Sequence, residues 1–596
     1  MDDGTLSLII LGLAVVLFVW NRLPVDVVAV LVALALWATG VLGFTDVLAG
    51  FGDPVVIFIA TLFVVSEGVD STGVTAWAGQ TIVRYAGTTR TRLLIAVTAL
   101  CAVLSALITL NGAVAALLPL VVMLAIRIGQ PPSQMLMPLT FAGSAGSLLM
   151  LTGTPVNIIV SEAASDAGAG PFPFFAFAVV GVPLVIGTIA ISVLLGPKLL
   201  PVTRPAHPAA DLAVHAETLD VHYALQDGFY RLQVRDLSPF LGQSVRELDL
   251  TAYPGVAIVG VQDGQGHNRT DAAIDAGDVL VVTGPSDKIS SLVVDNLLAV
   301  SMTPVEDLLT RDSGVVEAVI PPRSALVGET VFPGMHRGHD LVIIAVQRMG
   351  KDRGNRHTQL AEGDALLVHG PWETLDELSR DRDILLVDSP ELVRRQAVPW
   401  GPKASIAVAI LAAMVVLLAT GAVPPAMAGL LAATAMVLTR VVGPAQAYRA
   451  ISWQIVVLIG ALIPLSGAIQ SSGGADRIAD LIVDAVGSGR PYLLLLALFV
   501  VTAALGQMVS NTATVLIVAP IAVAAAEGTG TNVKPVLMLI AVAGAASLLT
   551  PISTPANMMI MSPAGYRFGD YWKLGLVVMA WWLLTAIIIV PLVWSF

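Results

Sequence analysis

Residues 144–160 read SAGSLLMLTGTPVNIIV, and residues 544–560 read GAASLLTPISTPANMMI. The second stretch lies 400 positions after the first, and both contain a Thr-Pro-x-Asn sequence at the same place. Further identities at this offset are Ser66 with Ser466, Gly73 with Gly473 and Asn111 with Asn511. We infer that the chain contains two related halves. A helix should break at Pro155 and at Pro555, because proline removes an amide donor from a helix interior.

The composition separates membrane segments from a soluble segment. The chain has 596 residues, of which 56% are hydrophobic and 12% charged, whereas soluble proteins have about 25% charged residues. Uncharged stretches fill roughly residues 5–200 and 404–596, and the middle of the chain has an ordinary soluble composition. We predict a first membrane repeat at 1–202 and a second at 404–596. Two inserted domains are predicted at 217–300 and 303–388.

Each half contains an uncharged segment that is too long for one membrane helix and too short for two. Residues 93–126 and 491–526 span 34 and 36 residues, whereas one spanning helix needs about 20 and two need about 40 plus a turn. Polar residues stand at the centre of each segment, Thr109-Leu110-Asn111-Gly112 and Ser510-Asn511-Thr512. The pattern predicts re-entrant helical hairpins with polar tips. The predicted fold class is a polytopic α-helical membrane protein with hairpins and broken helices.

The charges predict the orientation of the halves. If the hairpins do not cross, each half crosses the membrane five times, and the second half is inverted relative to the first. With both termini outside, most arginine-rich loops fall on the cytoplasmic side, and only Arg477, Arg490 and Lys534 dissent. We therefore predict an inverted repeat in the lipid bilayer of the plasma (inner) membrane, with inserted α+β domains in the cytoplasm.

The tips and breaks form the candidate binding site. Orphan amides at a helix break attract anions, and orphan carbonyls attract cations. Paired broken helices mark the binding site of many transporters. The candidates in the first half are Thr109, Asn111, Gly112, Thr152, Thr154 and Asn157. The candidates in the second half are Ser510, Asn511, Thr512, Ser553, Thr554 and Asn557.

Neutral oxygen ligands of this kind suit a hard cation, so sodium is the expected coupling ion. The expected sodium ligands are Asn111, Asn157, Asn511 and Asn557. The alternative is that these side chains only cap helix ends and satisfy backbone groups. Glu67 follows an apolar run and is a candidate coupling carboxylate. Alternatively, Glu67 lies at the water-facing end of its helix and faces water.

Ser510-Asn511-Thr512 and the later Ser553-Thr554-Pro555-Ala556-Asn557 resemble the divalent anion/sodium symporters of the solute carrier 13 type, within the ion transporter superfamily. The resemblance covers both membrane halves and implies binding of sodium with a dicarboxylate or sulfate, and a homodimer. The first half departs from this pattern. Its Thr109-Leu110-Asn111-Gly112 is more similar to the tip of arsenite exporters in the same superfamily.

The soluble insert contains a second repeat, offset by 86 positions, which pairs Gly242 with Gly328 and Gly277-Asp278 with Gly363-Asp364. Alternating apolar residues and Gly-Asp turns predict strands. The pattern resembles two copies of the TrkA carboxy-terminal domain, also called the RCK C-terminal domain. That resemblance implies a cytoplasmic module that senses an unidentified small ligand or dimerises.

Three functions remain open at this stage. The first is a sodium-coupled symporter of a small divalent anion, sulfate or a dicarboxylate. The second is an arsenite-type or cation/proton exporter, which the first tip favours. The third is a regulated ion channel or potassium uptake subunit, which only the inserted domains suggest. We expect no enzyme activity, no covalent cofactor and no nucleic-acid partner, because the sequence lacks a nucleophile–base pair, a phosphate-binding loop and a basic run.

Overall fold

The structure is a computed structural model. It describes residues 2–20, 22–86, 89–203, 229–244, 248, 250–254, 256–262, 273–283, 286–301, 313–332, 335–337, 341–353, 357–378, 381–387, 400, 403–474, 477 and 490–596. The predicted domain limits at residues 217, 303 and 388 lie outside the described residues. The chain divides into two compact units, Met1–Ala210 with Lys403–Phe596, and Asp211–Pro402.

The first unit is a bundle of apolar helices. Those long and apolar enough to span a bilayer, within the described residues, number seven: Asp3–Trp20, Phe44–Ser71, Arg90–Leu107, Ala178–Leu199, Trp453–Ser471, Asn511–Thr529 and Phe568–Val593. Shorter apolar helices are Val25–Ala38, Leu110–Ile126, Ala404–Thr420, Pro425–Leu438, Pro491–Gly506 and Val533–Ala545. The chain is therefore a polytopic helical membrane protein.

Both halves contain a pair of helices that meet at a polar tip. Arg90–Leu107 packs against Leu110–Arg127, and Pro491–Gly506 packs against Asn511–Thr529. We call residues 108–112 the first tip and residues 507–513 the second tip. The two helix pairs correspond to the uncharged stretches 93–126 and 491–526. The polar residues at the centre of each stretch lie where the first helix of the pair ends and the second begins.

A broken helix follows each pair. In the first half, Ser133–Gly146 is followed by a 3₁₀ turn, Leu151–Gly153, and then by Pro155–Asp166. In the second half, Val533–Ala545 gives way to Pro555–Met559. Residues 147–155 are the first break and residues 546–555 the second break. The helices end at Gly146 and Ala545, nine and ten residues before Pro155 and Pro555, so the breaks are wider than the proline alone predicts.

The last helix of each half approaches its break through a glycine. A Cβ atom on Gly181, in Ala178–Leu199, would lie 2.3 Å from the carbonyl oxygen of Leu148. A Cβ atom on Gly575, in Tyr571–Val593, would lie 2.0 Å from the carbonyl oxygen of Leu548. Only glycine permits these distances, so each break rests on a closely packed backbone.

The remaining membrane helices complete the bundle. Phe44–Ala49 and Pro444–Ala450 are short helices before Pro54–Ser71 and Trp453–Ser471. Val74–Ala86 follows Pro54–Ser71, and Met561–Ala564 follows the second break. Pro54–Ser71 packs against Pro425–Leu438, and Trp453–Ser471 packs against Val25–Ala38. Helices of the two halves are therefore interleaved within one unit.

The described residues of the second unit form three antiparallel sheets. The first holds Ala257–Gln262, Val279–Thr283, Phe229–Val234 and Leu298–Ser301 in that spatial order. The second holds Leu385–Leu386, Ser313–Val319, Ala365–Pro371, Leu341–Arg348 and His336–Arg337, with Lys351–Asp352 beside Leu341–Arg348. The third pairs Thr358–Gln359 with Thr330–Val331. The helices Ser286–Asp295 and Trp372–Leu378 accompany the sheets.

Several hydrogen bonds in this unit recur 86 positions apart. The amide of Val234 donates to Asp278 O at 2.8 Å, and that of Ile320 donates to Asp364 O at 2.9 Å. The carboxylates of these two aspartates also accept a bond from a backbone amide three residues earlier, at 2.9 and 2.8 Å. Each Gly-Asp turn is therefore closed by a hydrogen bond from a nearby backbone amide to the aspartate carboxylate.

Candidate functional site

Each tip presents the capped amino terminus of a helix. The Thr109 hydroxyl accepts a bond from the amide of Gly112 at 3.1 Å, and Leu110–Arg127 begins directly after it. The Ser510 hydroxyl accepts a bond from the amide of Ala513 at 3.4 Å, before Asn511–Thr529. A cap of this kind satisfies one of the orphan amides and leaves the positive end of the helix dipole at the tip.

Each break ends in the same way. Thr154 caps Pro155–Asp166 by accepting a bond from the Val156 amide at 3.4 Å. Thr554 caps Pro555–Met559 by accepting a bond from the Asn557 amide at 3.2 Å. Proline follows each cap at the first helical position, where its missing amide costs nothing. The two breaks therefore add two further helix amino termini to those of the tips.

Asn157 and Asn557 hold the breaks together. The Asn157 side-chain amide donates to Ser147 O at 2.9 Å and to Met150 O at 2.8 Å. The Asn557 amide donates to Ser547 O at 2.9 Å and to Thr550 O at 3.1 Å. Because both amide hydrogens are used, the orientation of each side chain is determined. Their Oδ1 atoms are buried and have no hydrogen-bond partner among the described residues.

The tips and breaks of both halves meet around one cavity of about 270 Å³. Its lining includes nine of the twelve predicted binding residues: Thr109, Asn111, Thr152, Thr154, Ser510, Asn511, Thr512, Ser553 and Thr554. Gly112, Asn157 and Asn557 are not part of the lining. Each forms a hydrogen bond with a residue that is: Gly112 with Thr109, Asn157 with Ser147 and Asn557 with Thr554. Cavities for larger ligands measure about 300–1,000 Å³, so this volume suits a small solute.

The cavity wall combines apolar residues with polar residues that carry no charge. Its polar members carry hydroxyl or carboxamide groups, and none of the described lining residues is ionisable. Groups of three or more histidine, cysteine, aspartate or glutamate side chains able to hold a metal are absent from the described residues. Any cation here would have to bind neutral oxygens, for which the buried Oδ1 atoms of Asn157 and Asn557 are suited donors.

The second tip is tied to its break by contacts that the sequence did not reveal. Gln507 donates to Ala503 O and Ala546 O, both at 2.9 Å, and accepts a bond from the Leu549 amide at 2.8 Å. Thr550 donates to Gln507 O at 2.8 Å. A single glutamine in an apolar helix gives no hint of this role, since its partner Ala546 is 39 residues away.

Other lining residues were also not predicted. Ser144, Ser147, Ser452 and Gln454 line the cavity. Ser147 is identical to Ser547 at the repeat offset, and that identity was a usable signal. Ser452 and Gln454 follow Arg449 closely and have the composition of a membrane–water interface, so only the folded structure assigns them to the cavity.

Glu67 lies away from this cavity. It is half-buried near the carboxyl end of Pro54–Ser71 and accepts a hydrogen bond from the Gln446 side chain at 2.8 Å. Gln446 in turn accepts a bond from the Gly443 amide at 3.4 Å. The carboxylate therefore contributes to packing between a membrane helix and the short helix Pro444–Ala450.

Comparison with known proteins identifies the relatives of this chain. The family model described as "Citrate transporter" (CitMHS) matches residues 15–543 and 472–596. The "Uncharacterized transporter YfbS" of Escherichia coli (strain K12) is 30% identical over 612 residues, which cover 98% of both chains. The "Uncharacterized transporter sll0640" of Synechocystis is 28% identical over 96% of this chain and 94% of its own.

A third relative carries a more specific name. The "Sodium/sulfate cotransporter 1" of Chlamydomonas reinhardtii is 25% identical over 403 residues, 61% of this chain and 44% of its own. The match over nearly the whole sequence agrees with the helical membrane unit and with the cavity between the paired tips and breaks. The chain belongs to the citrate transporter family.

Proposed function

We propose that this protein is a secondary transporter that couples sodium entry to the uptake of a small divalent anion, foremost sulfate and next a dicarboxylate. The observation that carries the proposal is the cavity in which both tips and both breaks meet without a charged side chain. Sulfate is placed first because a relative is named a sodium/sulfate cotransporter.

The absence of charge in the cavity wall explains why coupling is expected. A divalent anion that leaves water loses a large solvation energy, and neutral donors with helix amino termini recover only part of it. Sodium bound next to the anion supplies the missing positive charge. Anion affinity then depends on sodium, and a transporter built in this way does not move the anion efficiently alone.

We assign the sodium ions to the asparagine pairs. Asn511 lines the cavity and Asn557 lies just behind it with an unpartnered Oδ1 atom. Asn111 and Asn157 stand 400 positions earlier in the sequence: Asn111 also lines the cavity, and Asn157 also has a buried Oδ1 atom without a partner among the described residues. Binding a cation and holding the break are compatible roles, because the side-chain amide of Asn157 or Asn557 can hold the break while its Oδ1 atom binds a cation.

The transport cycle we infer is alternating access in a homodimer of the plasma membrane. In this proposal the second membrane half is inverted relative to the first, both termini lie outside, and the insert is cytoplasmic. The two halves of the insert, 217–300 and 303–388, act as TrkA-C-like modules that sense a small ligand. The recurrence of backbone hydrogen bonds at an offset of 86 supports a duplicated insert.

One specific observation favours a second candidate. The first tip reads Thr109-Leu110-Asn111-Gly112 and lacks the Ser-Asn-Thr sequence of the second tip. An arsenite-type or cation/proton exporter is therefore the alternative. This alternative predicts export of the solute that depends on protons rather than on sodium.

Reconstitution separates the two candidates. The full chain is placed in liposomes, and uptake of labelled sulfate, succinate and citrate is measured with an inward sodium gradient and with potassium in its place. We expect uptake of sulfate that requires sodium. Absence of sodium dependence for all three anions, with proton-driven efflux of arsenite instead, would establish the alternative.

A further inference from the structure

The cavity has one wall that belongs to neither the hairpins nor the broken helices. Eight lining residues come from the helices Val25–Ala38, Pro54–Ser71 and Trp453–Ser471 or directly precede one of them. Six of the eight are apolar: Val25, Ile59, Leu62, Phe63, Ile455 and Leu458. The other two, Ser452 and Gln454, are polar and lie together at the start of Trp453–Ser471.

Both polar side chains are free to meet a ligand. Ser452 is the N-cap residue of Trp453–Ser471, yet its hydroxyl makes no capping hydrogen bond. The amides of Ile455 and Val456 bond to the Ser452 carbonyl instead, at 3.0 and 3.1 Å. The Gln454 side chain is exposed and makes no hydrogen bond to any described residue. An N-cap serine normally accepts a bond from the second or third amide of its helix. This hydroxyl accepts no such bond and donates none to the described residues, so its hydrogen is available to a ligand.

We propose that Ser452 and Gln454 contact the solute from the wall that faces the tips, and that Gln454 helps select an anion over a neutral solute. The proposal rests on the proposed anion transport. In that wall they are the donors available to an anion's oxygen atoms, since the other six lining residues offer only apolar side chains. Hydrogen bonds to a charged acceptor are about twice as strong as neutral ones, so this wall favours a charged solute.

The test compares Gln454→Ala, Gln454→Glu and Ser452→Ala in the full chain in liposomes. The matched control is Gln470→Ala, because Gln470 is exposed on the same helix but is not among the residues that line the cavity. We expect the KM for sulfate to rise about three- to tenfold in Gln454→Ala, with little change in maximal rate. Gln454→Glu should raise the KM further, because a carboxylate repels the anion, and Gln470→Ala should resemble the wild type.

Two outcomes would overturn the inference, and they differ in what else they overturn. If the wild type shows sodium-dependent sulfate uptake and Gln454→Ala and Gln454→Glu keep its KM, the inference fails alone. If the wild type transports none of the tested anions with sodium, the proposed function fails and the inference fails with it.

A separate set of hydrogen bonds ties the first half's exit segment, residues 200–203, to the first broken helix. The Ser133 hydroxyl donates to Pro201 O at 2.8 Å and accepts a bond from the Thr203 amide at 3.1 Å. The Gln134 side chain donates to Leu200 O at 3.0 Å. Ser133 and Gln134 begin the helix Ser133–Gly146, which leads into the first break.

The same segment is tied to the second broken helix. The Thr203 hydroxyl donates to Ala564 O at 2.8 Å. Two residues later, the buried Tyr566 hydroxyl donates to Ser133 O and accepts a bond from the Met137 amide at 3.1 Å. Ala564 ends the helix Met561–Ala564, which follows the second break.

We infer from this second observation that residues 200–203 are a latch that couples the insert to the solute site. The chain continues from this segment toward the unit Asp211–Pro402. A displacement of the segment must move the start of Ser133–Gly146 and the end of Met561–Ala564 together or break their hydrogen bonds. Coupling between two sites is reciprocal, so solute binding must in turn affect the insert.

Amide hydrogen exchange of the full chain tests the latch. Sodium sulfate should change exchange in peptides of both the tips and the insert relative to sodium chloride. Thr203→Val and Tyr566→Phe should keep the change at the tips and lose it in the insert. Tyr448→Phe, at an exposed tyrosine, is the control and should keep both. Retention of the insert response in both variants, or its absence in the wild type, contradicts the latch. If sodium sulfate changes exchange nowhere in the tips, the proposed solute is contradicted, and the latch is contradicted with it.

Discussion

Asn111 and Asn511 lie at the same offset as the other repeated residues, yet they occupy different positions in their helices. The first helix is capped by Thr109, so Asn111 is its second residue. The second helix is capped by Ser510, so Asn511 is its first residue. The capping residue lies two positions before the asparagine in the first half and one position before it in the second. The two asparagines therefore occupy different helical positions, although both line the same cavity.

The two tips also differ in how they are held. Asn511 accepts a hydrogen bond from Ser547, and Gln507 binds three backbone groups near its tip and break. Leu107 stands where Gln507 would be in the first half, and the Asn111 side chain makes no hydrogen bond to the described residues. The second tip is thus positioned before any ligand arrives, while the first retains an unused amide. In the proposed mechanism, this difference gives the second half a preformed sodium site and the first half a more adaptable contact.

The largest effect is expected where the two halves are the same. Asn157→Ala and Asn557→Ala each remove two hydrogen bonds that hold a break, one buried and one partly buried. We expect each to lower the free energy of unfolding by about 2–4 kcal/mol. Sodium-dependent uptake should be lost in both. Thermal unfolding in detergent and liposome uptake measure the two effects.

Asn532→Ala is the matched control for these variants. Asn532 caps Val533–Ala545 by accepting a bond from the Lys534 amide at 3.1 Å, in an exposed position. Its loss should cost about 1 kcal/mol and leave uptake intact. Near-wild-type uptake in Asn157→Ala alone would show that the halves are less alike in function than in hydrogen bonding.

A smaller effect is expected from making the second tip resemble the first. Gln507→Leu removes three side-chain hydrogen bonds but keeps a similar volume, so the free energy of unfolding should fall by about 1–3 kcal/mol. The sodium concentration for half-maximal uptake should rise, because the tip is no longer held against its break. The reciprocal Leu107→Gln is the control, and equal sodium dependence in Gln507→Leu and the wild type would contradict a preformed second site.

Much of this site could be predicted from sequence because its signals are local. Polar residues in the middle of an uncharged segment indicate a tip, and Thr-Pro-x-Asn indicates a break, since water is not available to satisfy an interrupted backbone within the bilayer. Both signals gave residues that the structure brings together around the cavity. The local chemistry also left one question open, whether Asn157 and Asn557 hold the backbone or face a ligand.

The features that sequence did not reveal depend on distant contacts. Gln507 matters because Ala546 and Leu549 pack beside it. Gly575 matters because a side chain there would meet the Leu548 backbone. A single glutamine or a single glycine in an apolar segment does not indicate such a contact, because the partners lie far away in the sequence. The width of the breaks was also missed, because it depends on side-chain amides that reach back seven and ten residues.

The two tip asparagines give a finer comparison. Asn111→Ala should leave the thermal unfolding temperature unchanged, because the side chain makes no hydrogen bond to the described residues. It should raise the KM for sulfate. Asn511→Ala should cost about 1 kcal/mol through loss of the Ser547 bond and mainly raise the sodium requirement. Measured KM values for sulfate and sodium in both variants test this division, and identical profiles would contradict it.

The smallest effect is expected at Glu67, which is the candidate coupling carboxylate outside the cavity. Glu67→Gln keeps the shape of the side chain and can preserve a hydrogen bond with Gln446. Since the cavity wall contains no ionisable residue, sodium-driven uptake should stay nearly constant between about pH 6 and pH 8 in both the variant and the wild type. Uptake of labelled sulfate across this range measures the effect, with Gln446→Ala as a control that removes the partner instead. A pH dependence in the wild type that disappears in Glu67→Gln would assign proton coupling to this carboxylate and favour the exporter alternative, because the solute site itself has no group that titrates there.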